Sequence, residues 1–272
     1  FLFSFFEPNL DRTGDLRISL NLDFLPDKLL AHFLNSDYIK NSSNLKIEIR
    51  GKVNMNKEWS ELNKTMQAQI KKRDTYETGI GTLFNLRSQL MQTLVSFKEE
   101  LRREDFNSIP FINVDGYHNK TIAYSIWHIF RIEDIVAHTL INEDEQVLFA
   151  GDYQERINSP IITTGNELVK QQIADFSMQL NLEELYSYIF EVRESTEKML
   201  KQLSYDELKR KISEKTKGYL ESMNVVSNNE NAIWLIDYWC NKDVRGLIQM
   251  PFSRHWIMHI EACLRIKNKI HS

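Results

Sequence analysis

The rhythm of hydrophobic and polar positions changes near residue 55. Before that point "DLRISLNLDFL" (residues 15–25) and "LKIEIRG" (45–51) alternate apolar and polar positions, the period of a β-strand. Between them "PDKLLAHFL" predicts a short helix opened by Pro26, and "NSDYIKNSSN" a loop. Past that point apolar residues recur every three or four positions, the helical period. "MNKEWSELNKTMQAQIKKRDTYETG" (55–79) predicts a first helix. "GTLFNLRSQLMQTLVSFKEELRRED" (81–105) predicts a longer one, with Leu83, Leu86, Leu90, Leu94, Phe97 and Leu101 on one stripe. "NKTIAYSIWHIFRIEDIVAHTLI" (119–141) is apolar around most of its circumference, as a buried bundle helix is. Residues 143–166 hold Gly151, Pro160 and Gly165 and predict a long connection with short helical pieces.

"NLEELYSYIFEVRESTEKMLKQL" (181–203) follows, with Asn181 as N-cap. "SYDELKRKIS" (204–213) and "NENAIWLIDYWCN" (229–241) predict shorter helices, the first opened by a serine cap. "PFSRHWIMHIEACLRIKNKI" (251–270) ends in basic residues, which suits the negative end of a helix dipole. Four long helices, a long crossover connection and extra short helices define the expected fold class: all-α, a four-helix bundle over residues 55–272, preceded by an N-terminal extension over 1–54. "RGKVN" can be encoded by a purine-rich run resembling a ribosome-binding site ahead of Met55. The expectation for 1–54 is therefore translated upstream sequence or a poorly ordered extension, with a small αβ appendage as the alternative. The codons decide it.

Composition narrows the function classes. The chain has 272 residues, 42% of them hydrophobic, enough for a substantial core. A net charge of -4 is not the footprint of a general nucleic-acid binder. No apolar run approaches the roughly 20 residues that span a bilayer. "FLFSFF" is too short, and lacks the flanks, for a signal peptide. Cys240 and Cys263 give no disulfide framework, so a reducing cytoplasm is the expected compartment.

Candidate chemistry rests on histidine spacing. His255 and His259 stand four residues apart, just over one helical turn, on a stripe with Phe252, Ala262, Cys263 and Ile266. Two imidazoles on one face can meet one cation, as in zinc-binding helices, although a lone inward histidine is more often a satisfied core residue. His128 lies amid apolar neighbours on another helix, and an unpaired buried imidazole there costs about 1–3 kcal/mol. One divalent ion would satisfy all three. His138 is ten residues beyond His128 and is expected to be structural; His118, His32 and His271 are peripheral.

"SIWHIFRIEDI", followed by "DVRGLIQMPFSRHWIMHIEACLRIKNKI", resembles the DinB-like (DinB/YfiT-like) superfamily over roughly residues 56–270. The resemblance implies a four-helix bundle holding a divalent metal with one histidine of the second helix and a His-x-x-x-His pair of the last, here His128, His255 and His259. It also implies either metal-assisted hydrolysis or transfer of a low-molecular-weight thiol to a small electrophilic substrate, with transfer slightly favoured.

Three imidazoles leave an open coordination position, where a cation lowers the pKa of water or thiol toward about 7. Zn²⁺ suits such a site, which discriminates weakly against Ni²⁺, Mn²⁺ or Fe²⁺. Glu133, Asp134, Asp237 and Glu261 are the carboxylates available to orient the rings. Cys263 is a fourth ligand or nucleophile by position and, more commonly, a packed thiol. Trp127, Trp239 and Trp256 are candidate pocket walls, Arg131 a candidate anion contact, and "KEELRRED" a solvated helix end. The competing class is a non-catalytic helical protein that binds metal incidentally or pairs as a homodimer.

Overall fold

The computed structural model describes Glu7–Leu10, Leu16–Asn21, Lys46–Arg50 and all residues from 55 to 272. Contacts divide the chain into two units, Phe1–Glu58 and Trp59–Ser272. In the first, β1 (Glu7–Leu10) pairs antiparallel with β2 (Leu16–Asn21), and β2 pairs parallel with β3 (Lys46–Arg50). The register sets Ile18 opposite Ile47 and Leu20 opposite Ile49. Both alternating stretches are thus strands, within the bounds the period-2 pattern predicted. The expected helix over 26–34, with His32, lies outside the described residues.

The second unit is the expected helical bundle. Helix α1 (Met55–Gln69) stops short of its predicted end at 79. A tight reversal follows, in which a Cβ on Gly79 would stand 2.7 Å from Ile70 Cγ2. Only glycine allows so close a return of the chain. The four long helices are α2 (Tyr76–Glu100), α3 (Ile122–Asp134, continued by the π-helix Ile135–Asn142), α4 (Leu182–Gln202) and α5 (His255–Ile270). Asn181 caps α4 as expected, its side chain accepting from the Glu183 and Glu184 amides.

Side-chain pairs fix the directions. α2 and α4 run antiparallel, with Lys98 near Glu183 and Arg87 near Glu197. α3 and α5 also run antiparallel, with Phe130 on Trp256 and Ser125 near Cys263. α3 and α4 run parallel, as Tyr188 bonds Asp134 and Ser195 bonds His138. Parallel neighbours need a long return connection, and residues 143–181 supply it with the short helices Val147–Ala150, Tyr153–Ile157 and Gln171–Gln179. "NENAIWLIDYWCN" is a helix from Glu230 to Cys240, capped by Asn229. "SYDELKRKIS" forms only the 3₁₀ turn Glu207–Lys209, in which Glu207 accepts from the Ser204 amide and hydroxyl and Leu208 is buried in the core. Among the described residues no helix is long and apolar enough to cross a membrane.

A large apolar cluster fills one end of the bundle, from Met66, Ile80 and Leu83 to Val136, Leu140, Trp239 and Leu247. The first half of α3 and the start of α5 meet toward the other end. That is where polar groups are buried.

Candidate metal centre

Two local devices deliver the histidines. His255 begins α5 directly after the π-helix Met250–Arg254, which contains Pro251. Proline has no N–H to continue the α-helical ladder. Around it Ser253 Oγ donates to the Ile248 and Gln249 carbonyls, and Arg87 Nη1 donates to the Phe252 carbonyl at 3.2 Å.

The second device is a strap, residues 162–165, whose successive carbonyls dock on one face of α3. Arg131 Nε donates to Ile162 O (2.7 Å), Trp127 Nε1 to Thr163 O (3.3 Å), His128 Nδ1 to Thr164 O (2.8 Å) and Tyr124 OH to Gly165 O (3.0 Å). The four donors occupy positions i, i+3, i+4 and i+7 of a helix, which is one face. A carbonyl only accepts, so His128 carries its proton on Nδ1 and leaves Nε2 as the bare nitrogen.

All three histidines of the spacing argument converge. His128, His255 and His259 are buried, and one ring nitrogen from each lies within 4.8 Å of the others. His128 Nε2 and His255 Nε2 are 3.2 Å apart. Tetrahedral ligands at roughly 2.0–2.1 Å from an ion would stand about 3.3 Å apart, so one pair is already at ligand spacing. The full set is wider than the 4 Å or so that a closed ligand set implies. Only His128 has a ring nitrogen tied to the backbone; His255 Nδ1 and His259 Nδ1 are buried without a partner, leaving those rings unanchored. Burial pushes His128 down to about 4, against the Thr164 bond and helped by the Lys120 charge. Burial, and then His128, drives His255 well below the usual imidazole range, and burial, His255, His128 and Lys120 do the same to His259. The rings are neutral at physiological pH, the form that ligates a cation.

The remaining candidates fall elsewhere. Glu133 is held by both Arg87 terminal nitrogens (2.9 and 2.8 Å) and by Trp256 Nε1 (2.8 Å). Asp134 accepts from Arg131, Tyr188 and the Val147 and Leu148 amides, capping a short helix. Asp237 pairs with Lys217 on the surface. Burial lifts Glu261, and Arg265 opposes the lift. None of the four carboxylates bonds a ligand imidazole; the orienting group is the Thr164 carbonyl instead. Arg131 is fully buried and each of its three nitrogens already donates within the protein, to Ile162, Asp134 and Gln146, so it is engaged in the core. Cys263 is fully buried outside the histidine cluster, its thiol pushed up to about 12 by burial, so it packs rather than reacts.

Trp127 and Trp256 flank the site as bonded core residues, while Trp239 belongs to the distant apolar cluster. His138 bridges Asp144 and Ser195, the expected structural role. His118 packs on Phe111, and His271 lies 3.9 Å from Asp105. In the "KEELRRED" segment Arg103 is more than solvated: it binds the Ser177, Met178 and Leu180 carbonyls at the end of the helix Gln171–Gln179.

Three neighbours were not singled out by sequence. Tyr124 stacks on His128 (ring centroids 5.5 Å, 10° apart), Tyr117 sets its ring edge-on to His259 at 5.1 Å, and Lys120 Nζ sits 5.6 Å over Tyr124. The i, i+3, i+4, i+7 run of donor-bearing side chains from Tyr124 to Arg131 was the available signal for the strap. Two surface grooves, one around Phe190, Arg193 and Lys201 and one around Lys98, Leu180 and Tyr186, include none of the histidines.

No family model matches the chain, and no curated protein matches it. Among solved structures it is similar to a "conserved protein of locus from Enterococcus faecalis", at 12% identity and a TM-score of 0.45, over 81% of this chain and 99% of that one. A likeness this slight carries no argument about what the centre does.

Proposed function

We propose that the protein is a divalent-metal-dependent enzyme of the DinB-like kind, in which His128, His255 and His259 hold the ion. The reading rests on three neutral imidazoles from two helices turned toward one another, with the tautomer of His128 fixed so that its bare Nε2 faces the others. Three buried rings held together, two of them with Nδ1 unpartnered, cost free energy that a shared cation offsets. An ion held there supplies Lewis acidity, bringing a water or a low-molecular-weight thiol into its anionic form near neutral pH. The protein's own part is to hold the ligands apart from bulk water: Tyr124 covers one face of His128 and Tyr117 stands against His259. Zn²⁺ is the preferred ion, and a small electrophile the substrate, with thiol transfer ahead of hydrolysis on resemblance alone.

A second reading, a non-catalytic metal-binding bundle, draws on a specific observation. Glu133 and Asp134, the buried carboxylates nearest in the chain to His128, are both fully engaged, so neither is free as a general base.

Elemental analysis of untagged protein decides the metal, with His259→Ala alongside. About one equivalent in the native chain and loss in the variant is expected; equal content in both sinks the ligand set. Conjugation of a low-molecular-weight thiol to a simple electrophile, with and without metal, then separates enzyme from binder.

A further inference from the structure

Lys120 and its surroundings are left over once the metal centre is described. It is half-buried and stands in the loop that enters α3, with its ammonium over the ring of Tyr124. That same ring is stacked on His128. Tyr117, three residues earlier in the same loop, is half exposed and edges His259, so this loop forms a rim over the histidines. The Tyr124 ring touches both the Lys120 ammonium and His128, and Tyr117 of the same loop touches His259, so the loop carries this charge to the edge of the centre. Among the described residues no carboxylate pairs with it, and burial alone lowers its pKa.

A half-buried ammonium without a counter-ion is unusual, because lysine is seldom buried unless paired. Its position makes this sharper. When a dication occupies the histidines, the ammonium near it is repelled, and among the described residues no ion pair holds that ammonium. A negatively charged group seated between ion and ammonium would relieve both charges.

We infer that Lys120 is the anchor for an anionic substrate: the molecule that enters the metal centre carries an oxyanion group, a carboxylate or phosphate, which the Lys120 ammonium holds beside the histidines. This inference rests on the proposed metal centre and narrows its substrate class. Tyr117 forms the exposed edge of the entry, and Tyr124 keeps the ammonium from folding away, since its ring face attracts a cation. Arg131, the candidate anion contact of the sequence, is fully buried and pairs with Asp134, Gln146 and Ile162 instead.

The test uses the full chain loaded with Co²⁺, whose visible absorption reports a ligand entering the open coordination position. Acetate, inorganic phosphate and neutral imidazole are titrated into the native chain, Lys120→Met and Lys120→Arg. A charge-assisted hydrogen bond corresponds to a change of about ten-fold or more. Lys120→Met is therefore expected to weaken acetate and phosphate by that factor while imidazole binds as before, and Lys120→Arg to retain the anions. Equal anion affinities in native and Lys120→Met protein, both holding Co²⁺, overturn the inference and leave the metal centre standing. A loss that extends to imidazole means a distorted site and overturns it as well. Failure of the native chain to take up Co²⁺ overturns the proposed function and this inference together.

Discussion

His128 and His255, 127 positions apart in the chain, bring their Nε2 atoms to 3.2 Å. Because His128 donates from Nδ1 to Thr164, its Nε2 can only accept, so in the metal-free protein His255 must donate from Nε2. His255 Nδ1 then holds a bare lone pair, in keeping with its lack of any partner. Metal binding requires the reverse tautomer at His255, with Nε2 bare and the proton on Nδ1. The expected outcome is that zinc moves the His255 proton from one ring nitrogen to the other and leaves His128 unchanged. Long-range ¹H–¹⁵N spectra of the two rings check it. A His255 ring whose pattern is the same before and after zinc would show that the ion binds elsewhere.

The metal-free protein should lose stability on mild acidification. Burial holds His128 at about 4 when folded against 6.5 when unfolded, and His255 and His259 are lowered in the same direction. Well above pH 6.5 neither state is protonated at these rings, and their contribution is fully present. As pH falls below that value the unfolded chain takes up protons that the folded chain refuses, so the folded state is progressively disfavoured until the folded pKa values are passed. Between pH 6.8 and 5.2, above most carboxylate titration, the loss is about 1–2 kcal/mol per histidine. Urea unfolding of chelator-treated protein at both pH values measures it, and His255→Phe should reduce the slope. A midpoint that does not move over this range would mean that the rings are not buried as neutral groups.

Much of this was legible in the sequence, and the exceptions share a cause. The long amphipathic helices, the Asn181 cap and the i, i+4 spacing of His255 and His259 are local properties and appear in the fold, while the helix expected over 55–79 ends at Gln69 and that over 204–213 shrinks to a 3₁₀ turn. The orienting partner of His128 was sought among carboxylates, because side chains are what a sequence displays. It is a backbone carbonyl, which every residue owns and no sequence marks. Glu133 and Asp134 adjoin His128 in the chain, yet α3 turns them toward Arg87 and toward a helix N-terminus. In the π-helix before His255 the Phe252 carbonyl accepts from Arg87, a residue 165 positions away. Such long-range compensation leaves no local pattern.

The strap gives a test of that backbone contact. Gly165 has φ +78°, where a side chain is strained, and a Cβ there would stand 3.0 Å from Tyr124 Cε2. Gly165→Ala is expected to cost about 1–2 kcal/mol. It should also pull the Thr164 carbonyl from His128 and weaken zinc by about ten-fold, the usual lower effect of losing an outer-shell partner. Thr164→Ala keeps the carbonyl and should keep the affinity. Competition against a chromophoric chelator reads both. If the glycine variant binds zinc as tightly as the native chain, the strap does not orient His128.

Arg87 and Glu133 link α2 to α3 through the core with no exposure of either side chain. The same guanidinium holds the Phe252 carbonyl, and the same carboxylate holds Trp256 Nε1, so the pair grips the chain on both sides of His255. Removing Glu133 leaves the buried Arg87 charge with only Glu197, 3.3 Å from its Nε, a cost at the lower end of about 3–5 kcal/mol. Glu133→Leu should therefore be strongly destabilising. Adding Arg87→Met removes the stranded charge and leaves mainly the Trp256 N–H and Phe252 carbonyl unpaired, worth about 1–3 kcal/mol each at most. The double variant is expected to be more stable than Glu133→Leu alone, and urea midpoints compare them directly. The functional consequence separates from stability: with the grip on residues 252 and 256 gone, zinc affinity should remain reduced in the double variant even where folding recovers. Native-like zinc affinity in a folded double variant would make the pair a device of the core alone, with no part in placing His255.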